Sequence, residues 1–222
     1  MIRILEDQTE KRRTRPLYEE IFREDGKGFV DYYYEDRCLD NVIFTDEETA
    51  PSGQTELVSM VHLNPYTVML ERHAVPAGYI FAVATKEAYR HQGRMARLLD
   101  SVFRYCFTRG DVFVFLIPVN TKIYEPFGFE TICELQTDKT VPYETIRRDY
   151  DVYCMRDADY LRRLQTETAL TKQGETQALP DHSVIMARII NEAWFRGMGY
   201  PSGNHAILDR LKTKRIFISE EV

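Results

Sequence analysis

The sequence lacks any apolar run long enough to cross a membrane, since none approaches the roughly 20 residues that a spanning helix needs. Its first residues, MIRILED, carry charges too early for a secretory signal, which predicts a cytoplasmic protein. Cysteine is scarce, and Cys38, Cys106, Cys133 and Cys154 form no C-x-x-C pair. This spacing predicts reduced thiols and argues against a disulfide framework or a zinc site.

A basic excess is also absent. The 222 residues include 29 Lys and Arg against 35 Asp and Glu, a net charge of -6. Surfaces that bind nucleic acid are usually basic because they face phosphates, so we expect no nucleic-acid partner. An acidic surface would suit a cationic substrate, although mild acidity is also the ordinary state of a soluble protein.

One stretch in the middle of the chain carries most of the information. Tyr79 to Thr85 is a short apolar run that predicts a buried strand, and apolar residues then recur from Met95 to Cys106 at helical spacing. Gly110 can end that helix. The turn between strand and helix holds a glycine and the first helical amides, which have no acceptor within the helix. Such a turn can hold an anion.

The flanking patterns predict an α/β fold built on a mixed, mostly antiparallel sheet. Runs at Asn41–Asp46, Glu56–Leu63 and Tyr66–Glu71 predict an antiparallel meander that turns at Asn64–Pro65. The apolar run Val112–Ile117 predicts a buried strand parallel to the strand before the helix. A short helix ending at Pro126 and a strand from Phe129 to Leu135 follow.

The sequence pattern changes after residue 156 from mainly strand-like runs to mainly helical ones. Ala158–Leu170, Ser183–Phe195 and Ala206–Leu211 have helical patterns, and the last residues predict a terminal strand. We therefore predict two domains, residues 1–156 around the anion-binding turn and residues 157–222 as a helical extension ending in a strand.

The order of strand, R-x-x-G turn, amphipathic helix and buried strand resembles the GNAT superfamily of acetyl-CoA-dependent N-acetyltransferases. Arg90 and Gly93 match the superfamily motif, but Met95 stands where the family has Gly or Ala, with Ala96 one place later. The Y-R-x-x-G-x-M form and the segment LIPVNTKIYEPFGF, residues 116–129, are similar to the enhanced-intracellular-survival (Eis-like) branch. The resemblance implies a GNAT fold and direct transfer of acetyl to a primary amine of a small molecule or peptide, without a metal.

The resemblance also implies which residues bind acetyl-CoA. The backbone of Val83, Ala84 and Thr85 would pair with the pantetheine, and the turn would hold the pyrophosphate. The residues of that turn are Arg90, His91, Gln92, Gly93, Arg94, Met95 and Ala96, with Arg90 and Arg94 adding charge-assisted hydrogen bonds. Asn120 is a further cofactor candidate.

For catalysis, Tyr124 matches the family tyrosine that protonates the leaving thiolate; a packed tyrosine bonded to backbone is the alternative. In the Eis-like branch the C-terminal carboxylate enters the active site after a glutamate, which matches Val222 as base and Glu221 as cation ligand. A tail that merely closes a sheet edge is equally consistent. Asp25, Tyr33 and His62 are further substrate-pocket candidates. Core packing is the alternative for Tyr33, and an ordinary strand position is equally consistent for His62.

Two other functions remain open at this point. One is a non-catalytic acyl-CoA-binding or regulatory module that keeps the turn and lacks an amine site. The other is a transferase of longer acyl groups, with Met95 and the aromatic residues near Phe29 lining the chain. The sequence names neither the amine acceptor nor the acyl-chain preference, and it leaves open a homo-oligomer.

Overall fold

The computed structural model describes residues 1–49, 53–176 and 179–221. The chain divides into two compact units, each drawn from three stretches. Unit 1 comprises Met1–Asn64, Ile80–Phe103 and Ala158–Ala178, and unit 2 comprises Pro65–Tyr79, Arg104–Asp157 and Leu179–Val222. The predicted boundary at residue 156 does not separate these units, because stretches after it belong to both. The two-domain division stays a prediction.

The secondary structure alternates strands and helices along the chain. The strands of the described residues are β1 (Ile2–Leu5), β2 (Val42–Thr49), β3 (Thr55–Leu70), β4 (His73–Thr85), β5 (Phe113–Leu116), β6 (Glu130–Glu134), β7 (Val152–Cys154), β8 (Val184–Ile189) and β9 (Ile216–Phe217). The α-helices are α1 (Gln8–Arg12), α2 (Arg15–Ile21), α3 (Lys27–Glu35), α4 (Arg94–Arg109), α5 (Thr121–Tyr124), α6 (Tyr143–Asp149), α7 (Ala158–Lys172), α8 (Glu192–Gly197) and α9 (Asn204–Lys212).

Strand pairing gives the mixed, mostly antiparallel sheet that the sequence predicts. The strand order is β1-β2-β3-β4-β5-β8-β6, with β7 pairing with β3 and β9 pairing with β7. Strand β4 pairs in parallel with β5 through Ala77–Tyr79 and Phe113–Phe115. Helix α4 connects these parallel strands, and its predicted apolar stripe is buried, with Leu98, Leu99, Val102 and Cys106 fully covered. The α/β fold class is confirmed.

One predicted turn is absent. Asn64 and Pro65 lie inside β3, a continuous strand of 16 residues, instead of turning the chain. Strand β3 pairs with β2 up to Leu63 and with β7 from Val68 onward. Pro65 thus occupies the changeover between two partners, where a missing amide proton costs no ladder hydrogen bond.

The predicted helix over 183–195 is also wrong at its start. Residues 184–189 form β8, which pairs antiparallel with β5 and with β6. The run V-I-M-A-R-I is rich in β-branched residues and short, and burial between two strands outweighs its weak helical spacing. Helix α8 begins only at Glu192, after the Asn191 side chain accepts from the Trp194 amide at 3.1 Å.

The end of unit 2 is tied down as the sequence predicts. Strand β9 pairs in parallel with β7, and Phe217 packs in a small core with Ile146 and Tyr153. Ser219 and Glu220 are also buried. Separately, no helix among the described residues has both the length and the apolar content to span a membrane.

Candidate functional site

The predicted anion-binding turn lies in unit 1, between the end of β4 and the start of α4. A short 3₁₀ turn at Glu87–Tyr89 follows the strand, and the backbone then passes through two left-handed residues, His91 (φ 60°) and Gly93 (φ 71°). Helix α4 begins at the next residue, Arg94. Its first amides have no acceptor within the helix, so they are available to an anion.

Side chains of the turn fix its backbone. Arg90 Nε donates to the Thr85 carbonyl at 3.1 Å, and Gln92 Nε2 donates to the Ala88 carbonyl at 3.1 Å. Arg97 Nη1 donates to the Gln92 carbonyl at 3.2 Å. These three bonds leave the turn little freedom to rearrange, so its geometry is largely set before any ligand arrives.

Strand β4 is irregular just before this turn. Ala82 adopts a left-handed conformation (φ 46°), which is uncommon for a residue with a side chain and interrupts the regular pleat. Ser59 Oγ then donates to the Ala84 carbonyl at 2.8 Å and lies 2.7 Å from Thr85 Oγ1. Val83–Thr85, predicted to pair with pantetheine, therefore lie directly after a break in the strand geometry.

The guanidinium of Arg94 is engaged by two carboxylates, and its predicted bond to a pyrophosphate stays a prediction. The side chain is buried, and it donates to Asp46 at 3.1 Å and to Glu48 at 2.6 Å, both on β2. Arg97 Nη2 also donates to Asp46, at 2.8 Å. Because its charge is engaged by two carboxylates, Arg94 has its main-chain amide to offer an anion.

Asp46 organises this charge cluster. Burial alone would raise the pKa of its carboxyl, but hydrogen bonds from Arg97 and from the Met1 ammonium, at 3.0 Å, hold the pKa below its ordinary value. The sequence gives no signal for this role, since Asp46 only ends an apolar strand pattern. The cluster joins the first residues of α4 to β2 and so holds the turn that precedes α4 in place.

Three predicted pocket residues come together in unit 1 through a tyrosine that the sequence analysis missed. Tyr33 Oη lies 2.9 Å from His62 Nδ1, and the ring of Tyr18 stacks on Tyr33 with centroids 5.8 Å apart. Tyr18 Oη donates to Asp25 at 2.6 Å. Tyr18 follows Leu17 on α2 and looks like ordinary core in the sequence.

Burial separates the roles of these residues. Tyr33 and His62 are completely buried, which favours core packing over direct contact with a ligand for both residues. Burial lowers the pKa of His62 to about 3, so its imidazole is neutral. Asp25 is partly exposed and thus remains the accessible member of the three.

Buried polar groups surround Tyr33. The Asn64 side-chain carbonyl accepts from Tyr33 at 3.3 Å and from Asn41 at 3.2 Å. Within the described residues, His62 Nε2, Asn64 Nδ2 and Asn41 Oδ1 have no hydrogen-bond partner. Such groups are costly to bury, so this network is held in place by the packing around it.

Tyr124 lies in unit 2 at the end of α5. Only 8% of the residue is exposed, and its ring meets Phe129 edge-on with centroids 5.8 Å apart. Burial raises the pKa of the phenol to about 12, so it stays protonated at neutral pH. Its hydroxyl makes no hydrogen bond within the described parts of the chain. A packed tyrosine of the alternative kind would instead bond to a backbone group.

Asn120 has a clear structural role. It is the N-cap of α5, and its Oδ1 accepts from the Lys122 amide at 3.0 Å. The residue is exposed and keeps its side-chain NH₂ group for other contacts. A helix cap thus explains the asparagine in this segment without any cofactor, and its cofactor role stays a prediction.

The tail of unit 2 is held at several points. Arg156 Nη2 donates to Ser219 Oγ at 3.3 Å, and the Glu221 carboxylate pairs with Lys139 at 3.0 Å. Tyr79 Oη donates to the Glu221 main-chain carbonyl at 3.1 Å. The sequence analysis assigns Tyr79 to a strand and gives no sign of this contact with the tail. Val222, the predicted base, lies outside the described residues.

One group of side chains in unit 2 has the composition of a metal site. Glu130, His205 and Asp209 bring one ligand atom each within 4.8 Å of one another. Lys212 Nζ, however, lies 2.8 Å from Glu130 and 2.9 Å from Asp209. Its ammonium pairs with both carboxylates, so the group is explained as an ion-pair cluster.

Comparison with known families identifies the chain. Residues 13–132 match the family model described as an acetyltransferase (GNAT) domain. The chain belongs to the GNAT acetyltransferase family, and it is an acetyltransferase. The matched residues include the whole stretch from β4 through α4.

Solved structures of low sequence identity share the fold. A conserved protein of unknown function from Enterococcus faecalis superposes with a TM-score of 0.61 at 13% identity, covering 86% of this chain and 73% of that one. A Mycobacterium tuberculosis protein in complex with CoA gives a TM-score of 0.50 at 16% identity, with coverages of 85% and 98%. Eis1 from Mycobacterium abscessus gives 0.51 at 15% identity, covering 76% of this chain and only 48% of Eis1.

No curated protein sequence matches this chain. The structural likenesses lie below 25% identity and carry the fold alone. They also do not single out the Eis-like branch, because Eis1 is one of several proteins with this fold.

Proposed function

We propose that this protein transfers the acetyl group of acetyl-CoA directly to a primary amine of a small molecule or peptide. The observation that carries the proposal is the turn from His91 to Arg94, where two left-handed residues lead straight into the 16-residue helix α4. A pyrophosphate needs several convergent amide donors, and this geometry supplies them. The GNAT family match supports CoA as the source of that pyrophosphate.

In this proposal, unit 1 binds the cofactor. The amides of His91 to Ala96 hold the pyrophosphate, and the backbone of Val83–Thr85, after the break at Ala82, pairs with the pantetheine amides. Arg90 positions the turn through the Thr85 carbonyl, and Arg94 positions it through Asp46. Met95 is half-buried in the first turn of α4. Together with the 116–129 segment, it is our reason to propose the Eis-like branch.

Tyr124 is the proposed general acid. When the amine attacks the thioester carbonyl, the tetrahedral intermediate collapses and CoA leaves as a thiolate that needs a proton. A buried phenol with a pKa of about 12 is fully protonated at neutral pH and can donate it. The hydroxyl's lack of a partner among the described residues supports this role over a packing role.

The acceptor amine needs an anionic contact. We assign this contact to Asp25, which is partly exposed and oriented by the Tyr18 hydroxyl at 2.6 Å. Tyr33 and His62 are then positioning residues that support Tyr18 from the core of unit 1. Glu221 and the Val222 carboxylate stay proposals as cation ligand and base; the bond from Tyr79 supports an ordered path for the tail.

The test is thiol release from acetyl-CoA with a panel of acceptors: small primary amines, an aminoglycoside-like polycation, peptide N-termini and lysine peptides. We expect turnover with at least one acceptor and none with the matching N-acetylated compound. Longer acyl-CoA substrates, assayed beside acetyl-CoA, test the acyl preference. CoA binding by calorimetry without turnover on any amine would instead favour a non-catalytic acyl-CoA-binding module.

A further inference from the structure

A polar cleft lies within unit 2 and is not used by the proposed reaction. Its volume is about 820 Å³, and its walls come from the β3–β4 turn, helix α6 and the segment before β9. This volume falls within the roughly 300–1,000 Å³ typical of small-molecule sites. The cleft can therefore hold a ligand of metabolite size.

The walls of the cleft are cationic although the protein is acidic. Five cationic side chains line it against three acidic ones, Glu71, Glu144 and Asp151, in a chain of net charge -6. The cationic residues are Arg72, Arg147, Arg148, Lys214 and Arg215. A local positive excess against a negative background attracts anions to this part of the surface.

Two of these cations are fully engaged. Arg148 makes a two-pronged contact with Asp149 at 2.8 Å on both nitrogens, and Lys214 pairs with Glu71.

The other three guanidiniums have donors to offer. Arg147 meets Glu144 at 3.3 Å, but that carboxylate is 83% exposed and such a pair is weak. Arg215 meets Asp151 at 3.4 Å through each of two nitrogens. Arg72 makes no ion pair or side-chain hydrogen bond with the rest of the described chain. Arg72 and Arg147 can bind an added carboxylate or phosphate in the planar, two-pronged geometry that arginine favours, and Arg215 keeps Nη1 as a further donor.

The position of Arg72 depends on a strained turn. Glu71 (φ 48°) and Arg72 (φ 85°) are both left-handed in the β3–β4 hairpin, where asparagine and glycine are the usual residues. The Glu71 amide donates to the Asp151 carbonyl at 2.8 Å, and Tyr200 Oη donates to the Glu71 side chain at 2.9 Å. These contacts hold the left-handed turn at the cleft, and backbone strain of this kind is common at ligand clamps.

The cleft also has an apolar wall. Met69, Tyr150 and Tyr153 line it; Tyr153 belongs to the small core of unit 2, and Met69 and Tyr150 pack against that core. An organic ligand could therefore bury carbon there while its charged groups meet the arginines. We propose that this cleft is a second binding site, for a small organic anion that carries at least two phosphate or carboxylate groups.

Calorimetric titration of the full chain at low ionic strength, with inorganic pyrophosphate and separately with citrate, tests the proposal. We expect at least one probe to bind, and the Arg72→Gln/Arg147→Gln double variant to raise its dissociation constant about tenfold or more. Arg196→Gln, which removes an exposed arginine of unit 2 outside the cleft, should leave the constant unchanged. Both altered residues of the double variant are solvent-exposed, so thermal unfolding should match the parent protein.

The arms of the experiment separate the ligand classes. If pyrophosphate alone binds and the double variant weakens its binding, the cleft is assigned to phosphates. If citrate alone binds and the double variant weakens its binding, the cleft is assigned to carboxylates. Pyrophosphate bound at the Gly93 turn would be weakened by Gly93→Ala and not by the double variant. The proposal is overturned if neither probe binds, or if the double variant binds every probe that the parent binds, and as tightly as the parent does.

Discussion

The hydroxyl of Tyr79 donates a hydrogen bond to the main-chain carbonyl of Glu221 at 3.1 Å, across 142 positions of sequence. The ring of Tyr79 is itself packed against Tyr66 and Phe115, with centroids 6.0 and 5.1 Å away. Burial raises the pKa of the phenol well above its ordinary value, so the donor is always protonated. The rigid side chain of Tyr79 thus holds the main chain at Glu221.

Tyr79→Phe tests whether that position matters for catalysis. The variant keeps the ring packing and loses one hydrogen bond, so we expect about 1 kcal/mol of stability to be lost. If the tail contributes to the reaction, kcat falls several-fold while CoA affinity is unchanged. Tyr200→Phe, which loses a hydroxyl bond to Glu71 in the same unit, should lose similar stability at unchanged kcat. Equal kcat in both variants would remove the tail from the mechanism.

Gly93→Ala tests the turn. An added Cβ would meet nothing closer than Arg97 Nη1 at 3.9 Å, so the cost comes from the left-handed backbone alone and amounts to roughly 1 kcal/mol. We expect the turn to shift and the dissociation constant of CoA, measured by calorimetry, to rise about tenfold.

Gly110→Ala is the matched control for that variant. Gly110 is also left-handed (φ 92°), has open space around its Cα and ends helix α4 instead of preceding it. We expect the same loss in thermal stability and an unchanged CoA affinity. If the two variants weaken CoA binding equally, the turn is not the pyrophosphate site.

Tyr124→Phe tests the proposed acid. The variant keeps the edge-on contact with Phe129 and removes the proton donor, so we expect kcat to fall about 10²-fold with little change in the dissociation constant of CoA. Because the phenol pKa is about 12, the parent enzyme should show no loss of this acid between pH 7 and roughly pH 10. Unchanged kcat in the variant would assign Tyr124 to packing.

His62 predicts how stability depends on pH. Its folded-state pKa of about 3 lies below the unfolded value near 6.5, so in this window the unfolded chain binds more protons than the folded chain. Stability is therefore lost as the pH falls below about 6.5, by about 2 kcal/mol at pH 5 from this one group. Denaturant unfolding of the parent and of His62→Gln at pH 7 and pH 5 measures the difference.

The comparison has an internal control. His182→Gln removes a histidine that is 84% exposed, and it should keep the parent's pH dependence. If His62→Gln is too unstable to measure, NMR titration of the His62 imidazole in the parent gives the same information. A His62 signal that titrates near pH 6.5 would contradict the burial argument.

Much of the fold could be predicted because it follows from local patterns. The apolar stripe of α4, the buried run of β5 and the end of α4 at Gly110 each depend on periodicity or on a residue with special backbone freedom. Strand β8 and the continuity of β3 through Pro65 could not be predicted, because both depend on which strand lies alongside. The apolar pattern of one segment does not show which other segments will lie beside it in the sheet.

The candidate site divides in the same way. The turn at Gly93 is local and was predictable from the sequence. The burial of Arg94 against Asp46, 48 positions away, was not, and neither was the part of Tyr18 in orienting Asp25. Side-chain roles that depend on long-range contacts are set by tertiary packing, which a single sequence does not display.

The engagement of Arg94 with Asp46 and Glu48 has a further consequence. An anion site composed of peptide N–H groups is encoded in φ angles, and most side chains around it are free to drift in evolution. Residue-type signatures would then fade in distant members of the family while the binding geometry persists. A structural search could use backbone torsion angles instead of a sequence motif. The pattern would be a pair of left-handed residues two positions apart, directly before a long helix, and it would find members that a sequence motif misses.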